Sequence, residues 1–195
     1  MDAMNDKQAA HDQTLNRLCV NLLTGNVAAA DGVALFHAGS HGNDIAAGSG
    51  AAPSTAQLSA MRLLLRQQQG VGARRNLNYT LARLLIPEAL ETTTQQLLAA
   101  TLSIYPTQES ATPIFKGQVT WDVEPMLTAN SSLIYYGFAD SARARSIVFA
   151  HQTGYESMRS RNYYNPKNNC RMWQFEGRFA AAINNYRGVV RNAGA

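Results

Sequence analysis

Long apolar runs are missing from this chain of 195 residues. Residues 82–87 are interrupted by Arg83 and fall far short of the roughly 20 residues that a membrane-spanning helix needs. Cysteine is nearly absent as well. Cys19 and Cys170 cannot build a disulfide framework, and no CxxC pair marks a structural zinc site. Charge is scarce, at 15% of residues against 46% hydrophobic, which excludes a disordered chain. Residues 1–11 are polar and charged, so no signal peptide is expected and an intracellular origin is anticipated. At this length about 70% of the unfolded surface can be buried, so one domain is expected over residues 1–195.

The charge that is present is unevenly spread. Residues 1–142 hold 8 Lys and Arg against 11 Asp and Glu, whereas residues 143–195 hold 9 against 2. Such a split points either to an acidic partner such as nucleic acid or to the acidic face of a neighbouring subunit. Arginine outnumbers lysine 14 to 3, which favours planar, bidentate contacts.

Hydrophobic spacing orders the chain. Leu15, Leu18, Cys19, Leu22 and Leu23 recur at helical intervals, with Gly25 as the expected C-terminal cap. Ala30, Asp31 and Gly32 predict a turn into a short buried strand over residues 33–36. Residues 38–53 are rich in Gly, Ala and Ser and are expected to form a loop too poor in large side chains to pack a core. Ser54 and Gln57 have capping-box spacing for a second helix, whose buried face is Leu58, Met61, Leu64 and Leu65 and whose end is Gly70. A strand is expected over residues 79–86, then a third helix with Pro87 in its first turn. That helix should bury Leu90, Leu97 and Leu98 and carry Glu88 and Glu91 near its N-terminus, where the dipole favours acids. Beyond it the pattern is mostly β. Val119, Trp121 and Val123 alternate with polar residues, residues 132–138 and 146–150 are two further strands, and residues 175–183 are one long strand or two. The fold class expected is α+β rather than a regular βαβ alternation. An approximate boundary separates residues 1–53 from 54–195.

Few groupings suggest chemistry. His37 and His41 are four apart and flanked by Asp31 and Asp44, a spacing compatible with a metal or a His/Asp pair. No third ligand is near in sequence, so local hydrogen bonding in a loop is expected and no metal is assigned. His11 and His151 are isolated. No GxSxG, phosphate loop or dinucleotide fingerprint occurs, and the acids are scattered. Neither a catalytic residue nor a cofactor is assigned, and no enzyme activity is expected. Residues 155–171 interleave Tyr155, Tyr163 and Tyr164 with Arg159, Arg161, Lys167 and Arg171. Basic plus aromatic composition suits single-stranded nucleic acid, and it also suits a protein interface, where Tyr and Arg are enriched.

Several passages together resemble the major capsid proteins of tailed phages, in particular the Mu-like head subunit group. Asp31-Gly32-Val33-Ala34-Leu35-Phe36-His37-Ala38 followed by His41-Gly42-Asn43 resembles that group's DG-x-x-LFHA-x-HGN run. Leu84-Leu85-Ile86-Pro87-Glu88-Ala89-Leu90-Glu91-Thr92 resembles its LLVPPALE-T passage. Arg187-Gly188 through Arg191-Asn192-Ala193-Gly194-Ala195 resembles its closing segment.

The resemblance implies a Hong Kong 97 type capsid fold, with a spine helix, a peripheral domain and an axial domain. It implies a structural protein that self-assembles into an icosahedral shell around DNA in the host bacterial cytoplasm. In that group an N-terminal arm and an extended loop precede the spine helix, whereas this chain starts about where the helix would start. Either this chain is the C-terminal part of such a protein or a second chain supplies that arm and loop, with apolar surface along the first helix left for a second polypeptide or a neighbouring copy. Expected partners are other copies of the chain and, by charge only, packaged double-stranded DNA; no membrane partner is expected. Candidate contact residues are Arg159, Arg161, Tyr163, Tyr164 and Arg171, then Arg187 and Arg191 in the closing segment. The alternative is a nucleic-acid-binding module that uses the basic C-terminal part.

Overall fold

The computed structural model describes residues 2–46, 50–73, 75–99 and 114–194. The first element is the helix α1 (Asp2–Thr24). It buries Val20 and Leu23, while Leu15, Leu18, Cys19 and Leu22 are half-buried. Gly25 does bond back to Asn21, but the left-handed residue that ends α1 is Asn26, with φ 45°. Asparagine takes this conformation through its short polar side chain. Here that side chain also grips both the amide and the carbonyl of Phe36, so the helix end is tied to the next buried segment.

Residues 33–36 do not form the expected strand. Gly32, at φ 78°, makes the turn, and Ala28 and Ala34 share one isolated bridge. Leu35 and Phe36 are nonetheless buried, so the apolar pattern located the burial and not the ladder. Residues 38–53 also differ from expectation. They include a two-residue strand, β1 (Asp44–Ile45), and the buried polar residues His41 and Asn43. Asn43 donates to the carbonyls of Leu35 and Tyr186 and accepts from the His37 amide. Buried polar groups persist only when bonded in this way. They substitute here for the large apolar side chains that the segment lacks.

Helix α2 (Thr55–Gln67) starts at Ser54, whose hydroxyl accepts from the Gln57 amide. The capping box is only half formed, because the Gln57 side-chain oxygen instead accepts from Asn192. Leu58, Met61 and Leu65 are fully buried, and Leu64 packs at the margin. Strand β2 (Leu81–Ile86) follows, then a 3₁₀ turn at Glu88–Leu90 and helix α3 (Glu91–Ala99). Pro87 caps the 3₁₀ turn rather than the helix itself. Strand β3 (Thr120–Val123) leads into the short helix α4 (Pro125–Thr128), and then come β4 (Tyr135–Ala139) and β5 (Ile147–His151). The chain closes with β6 (Arg159–Asn165), β7 (Cys170–Glu176), β8 (Phe179–Ile183) and β9 (Val189–Asn192).

Five strands form a mixed sheet in the order β1-β9-β4-β2-β3. The β4 contacts to β2 and β9 are antiparallel, and both edge pairs, β1 with β9 and β2 with β3, are parallel. The parallel β2–β3 pair is a crossover through α3, so one βαβ connection does occur within the α+β arrangement. Successive strand residues face opposite ways. Tyr135, Val190, Leu84 and Ile86 accordingly meet α2, Leu90 and Leu98 in one cluster. Tyr136, Val189 and Leu85 meet Val20 and Leu23 of α1, Leu127 and Phe36 in the other. Among the described residues no helix is long and apolar enough to cross a membrane.

Two leucines on α2 measure this packing. Leu65 is fully buried, and Leu65→Ala should lower unfolding free energy in urea by about 2–5 kcal/mol. Leu63 is 54% exposed, and Leu63→Ala should stay within about 0.5 kcal/mol of wild type. Equal losses in the two variants would mean that α2 does not pack by this face.

Candidate subunit interface

The hairpin of β6 and β7 carries five of the seven candidate contact residues. Its register pairs Arg159 with Glu176, Arg161 with Gln174, Tyr163 with Met172 and Tyr164 with Arg171. Directly opposed residues share a face. One face therefore presents Arg159, Arg161, Tyr163 and Met172, and the other Tyr164, Arg171, Trp173 and Phe175. Both faces are largely open to solvent: Tyr163 is 49% exposed, Tyr164 58%, Met172 42% and Trp173 54%. The turn between the strands is built locally. Asn165 accepts from the Lys167 amide, Asn169 sits at φ 50°, and the Tyr164 hydroxyl donates to the Asn169 side chain.

The base of the hairpin is ordered by cation–aromatic contacts. The guanidinium groups of Arg159 and Arg178 lie 4.6 and 4.7 Å from the centroid of the Tyr155 ring. Gly154, at φ 84°, makes room for this, since a Cβ there would lie 2.9 Å from an Arg159 nitrogen. Arg178 also pairs with Glu176 at 2.6 Å. The Gln152 amide donates to the Arg178 carbonyl, which continues the β5–β8 ladder up to the hairpin.

Arg187 and Arg191 lie elsewhere. Arg191 forms a bidentate pair with Asp44 at 2.7 and 2.8 Å, and its guanidinium is 5.3 Å from the Phe36 ring. The hydrogen bonds it donates to Asp44 hold the Arg191 guanidinium pKa above its ordinary value. This pair bolts β1 to β9 inside one chain. Arg187 donates from Nε to the Gln69 carbonyl at 2.7 Å and stacks 4.4 Å from the Tyr186 ring. The seven candidates thus occupy three places: a hairpin, a stacked arginine and an internal ion pair.

The two histidines part company. His37 is exposed and accepts from the Ser40 amide at 2.9 Å. His41 is buried; its Nδ1 lies 2.9 Å from the Leu35 carbonyl and its Nε2 lies 2.8 Å from Asp31. Its ring stacks on Tyr186, with centroids 3.7 Å apart and 8° between planes. Both ring nitrogens are therefore engaged within the chain, in a His/Asp pair. Among the described residues no cluster of three or more His, Cys, Asp or Glu could hold a metal. A groove of about 640 Å³ also runs beside α1 and the sheet, lined in part by Asn16, Cys19, Arg83, Asp122 and Glu124. Two polar pairs lie in its lining, Arg83 with Asp122 and Asn16 with Glu124. Burial raises the Cys19 thiol above its usual value.

Sequence reasoning stopped the basic-aromatic segment at Arg171, one residue before Met172 and Trp173. A signal did exist. Asn165-Pro166-Lys167-Asn168-Asn169 is a turn flanked by two runs of strand formers, the pattern of a hairpin. Tyr186 and Gln69, which hold Arg187, gave no such signal, because both act through long-range contacts.

An exposed, arginine- and aromatic-rich ribbon thus accompanies a sheet buried on both faces. The protein family described as phage capsid protein matches residues 3–192, and the chain belongs to that family. Its role is accordingly structural, its place is the virion capsid, and its association is into a shell. Among curated proteins none matches.

Asp31 yields a pH dependence. The hydrogen bond from His41, with that from the Val33 amide, holds the Asp31 carboxyl below its ordinary 3.8. A lowered folded-state value means stability that is present above the ordinary value and lost as pH falls through the folded one. Asp31→Asn should melt below wild type at neutral pH, and the two melting curves should converge in acid. A constant offset down to the most acidic sample would show that the carboxylate contributes nothing. For the internal pair, Asp44→Ala strands a half-buried guanidinium and should cost about 1.5–3 kcal/mol in urea unfolding.

Proposed function

We propose that this chain is the tile of an icosahedral bacteriophage shell of the Mu-like kind, built on the Hong Kong 97 type fold, and that copies meet through the β6–β7 hairpin. One observation carries this reading. The hairpin leaves Tyr164 and Trp173 more than half exposed on one face and Tyr163 and Met172 more than 40% exposed on the other. An isolated two-stranded hairpin is marginal in water, and large aromatic side chains on both faces need a partner surface. Tyr, Trp and Arg are also the side chains that anchor interfaces most often.

Further parts of the reading follow the same physics. The half-buried Leu15, Leu18 and Leu22 of α1 are suited to cover by a second polypeptide or a neighbouring copy. The arginines of the C-terminal part would meet packaged double-stranded DNA by charge alone. Assembly would take place in the host bacterial cytoplasm.

The test is assembly of the expressed protein, alone and together with the upstream open reading frame, viewed by negative-stain microscopy. Closed shells are expected in the co-expressed sample. Arg159→Ala with Arg161→Ala should reduce the yield of empty shells, because each broken desolvated charge contact costs roughly 2–5 kcal/mol. Trp173→Ala should do the same at unchanged melting temperature. A soluble, monodisperse protein in both samples, binding DNA with a steep salt dependence, would support the nucleic-acid-binding module instead. Normal empty shells with poor DNA retention would place the two arginines on the lumen.

A further inference from the structure

Three planar groups are layered at the edge of one cleft. His41, pinned by Leu35 and Asp31, backs Tyr186, and Tyr186 backs the guanidinium of Arg187. Arg187 spends its Nε–H on the Gln69 carbonyl, and among the described residues its two terminal nitrogens donate to nothing. The cleft has a volume of about 600 Å³ and includes Ser40, Gln67 and Gln69 in its walls, with no carboxylate in the lining. An arginine held by a stack and one hydrogen bond has already lost most of its rotamer freedom, so a ligand for its remaining edge costs little further ordering.

We propose that this cleft binds a carboxylate from a second copy of the chain, with Arg187 as the fork and Glu88 or Glu91 of that copy as the ligand. The proposal rests on the shell reading and names a contact within it that is separate from the hairpin. A phosphate backbone is the less fitting occupant, because nucleic acid is held by rows of cations and this cleft offers one beside neutral amides and a hydroxyl. The acid is chosen by elimination. Of the acidic side chains described, all but Asp6, Glu88 and Glu91 already make a hydrogen bond or ion pair within the chain. Glu88 and Glu91 are both exposed and sit three residues apart at the start of α3, where they present two carboxylates together. A bidentate arginine–carboxylate pair supplies direction as well as attraction, which suits a contact that must set the angle between tiles.

The experiment is charge reversal read by sedimentation velocity and shell yield. Arg187→Glu should lower the shell yield by about tenfold or more, equivalent to about 1.4 kcal/mol per contact. Arg187→Lys should give a partial loss, because an ammonium keeps the charge without the flat fork. Adding Glu88→Arg and Glu91→Arg to Arg187→Glu should restore assembly, while the Glu reversals alone should block it. Melting curves accompany each variant, and rescue in the combined variant shows directly that Arg187→Glu still folds. Wild-type yield from Arg187→Glu, or no rescue by the combined reversal, overturns the proposal and leaves the shell reading standing. Loss of DNA retention alone, with normal shells, overturns it in favour of phosphate. Failure of the wild-type protein itself to form any assembly removes the shell reading and this contact together.

Discussion

Tyr135 and Tyr136 are adjacent in β4, and both are fully or almost fully buried. That is possible only because the strand sends them to opposite sides and both sides of the sheet are covered. The same constraint acts on Val189 and Val190 in β9. The helices are placed to meet it: α2, the 3₁₀ turn at Leu90 and the end of α3 cover one side, and α1, α4 and the Leu35-Phe36 segment cover the other. Burial costs the Tyr136 hydroxyl its ease of ionisation, pushing it up to about 12. Remove the cover from one side and a row of large side chains would face water.

The sheet edge at β1 is held by a different kind of interaction. Two residues of strand cannot hold a chain by ladder bonds alone. Polar pins do it instead. Arg191 grips Asp44, Asn43 bonds three backbone groups, and Gln68 donates to the carbonyls of His41 and Gly42. Each pin joins segments far apart in the chain, and together they turn a glycine- and alanine-rich stretch into a fixed wall. The cleft beside Arg187 exists because that wall is fixed.

The elements legible in the sequence are those whose information is local. The α2 cap at Ser54, the leucines of α2, the apolar stretch of β2, the alternation into β3, and the acids at the approach to and start of α3 follow from spacing within a few residues. What escaped is what depends on distant partners. Strand β1 is two residues long and is a strand only because β9 lies beside it. Arg191 reads as a free basic residue until Asp44, 147 positions away, is brought to it. Residues 33–36 have the composition of a strand, but Asn26 occupies the Phe36 backbone groups, and a bend results. The candidate site shows the same division. The basic-aromatic segment was visible as composition, and its five residues do share one hairpin. The stack behind Arg187 was not visible, since His41, Gln69 and Tyr186 come from three separate stretches.

One consequence follows from the charges of the hairpin. Arg159, Arg161, Lys167 and Arg171 lie on it against Glu176 alone. Two such ribbons laid edge to edge would oppose cation with cation along their length, so copies are discouraged from pairing ribbon with ribbon even though both strands have an open edge. A contact made through this element must then join unlike patches, tail of one copy to flank of the next. Where hairpin and flank do not engage reciprocally about one two-fold axis, each copy that docks offers a fresh acceptor, and growth stops only when the ring closes.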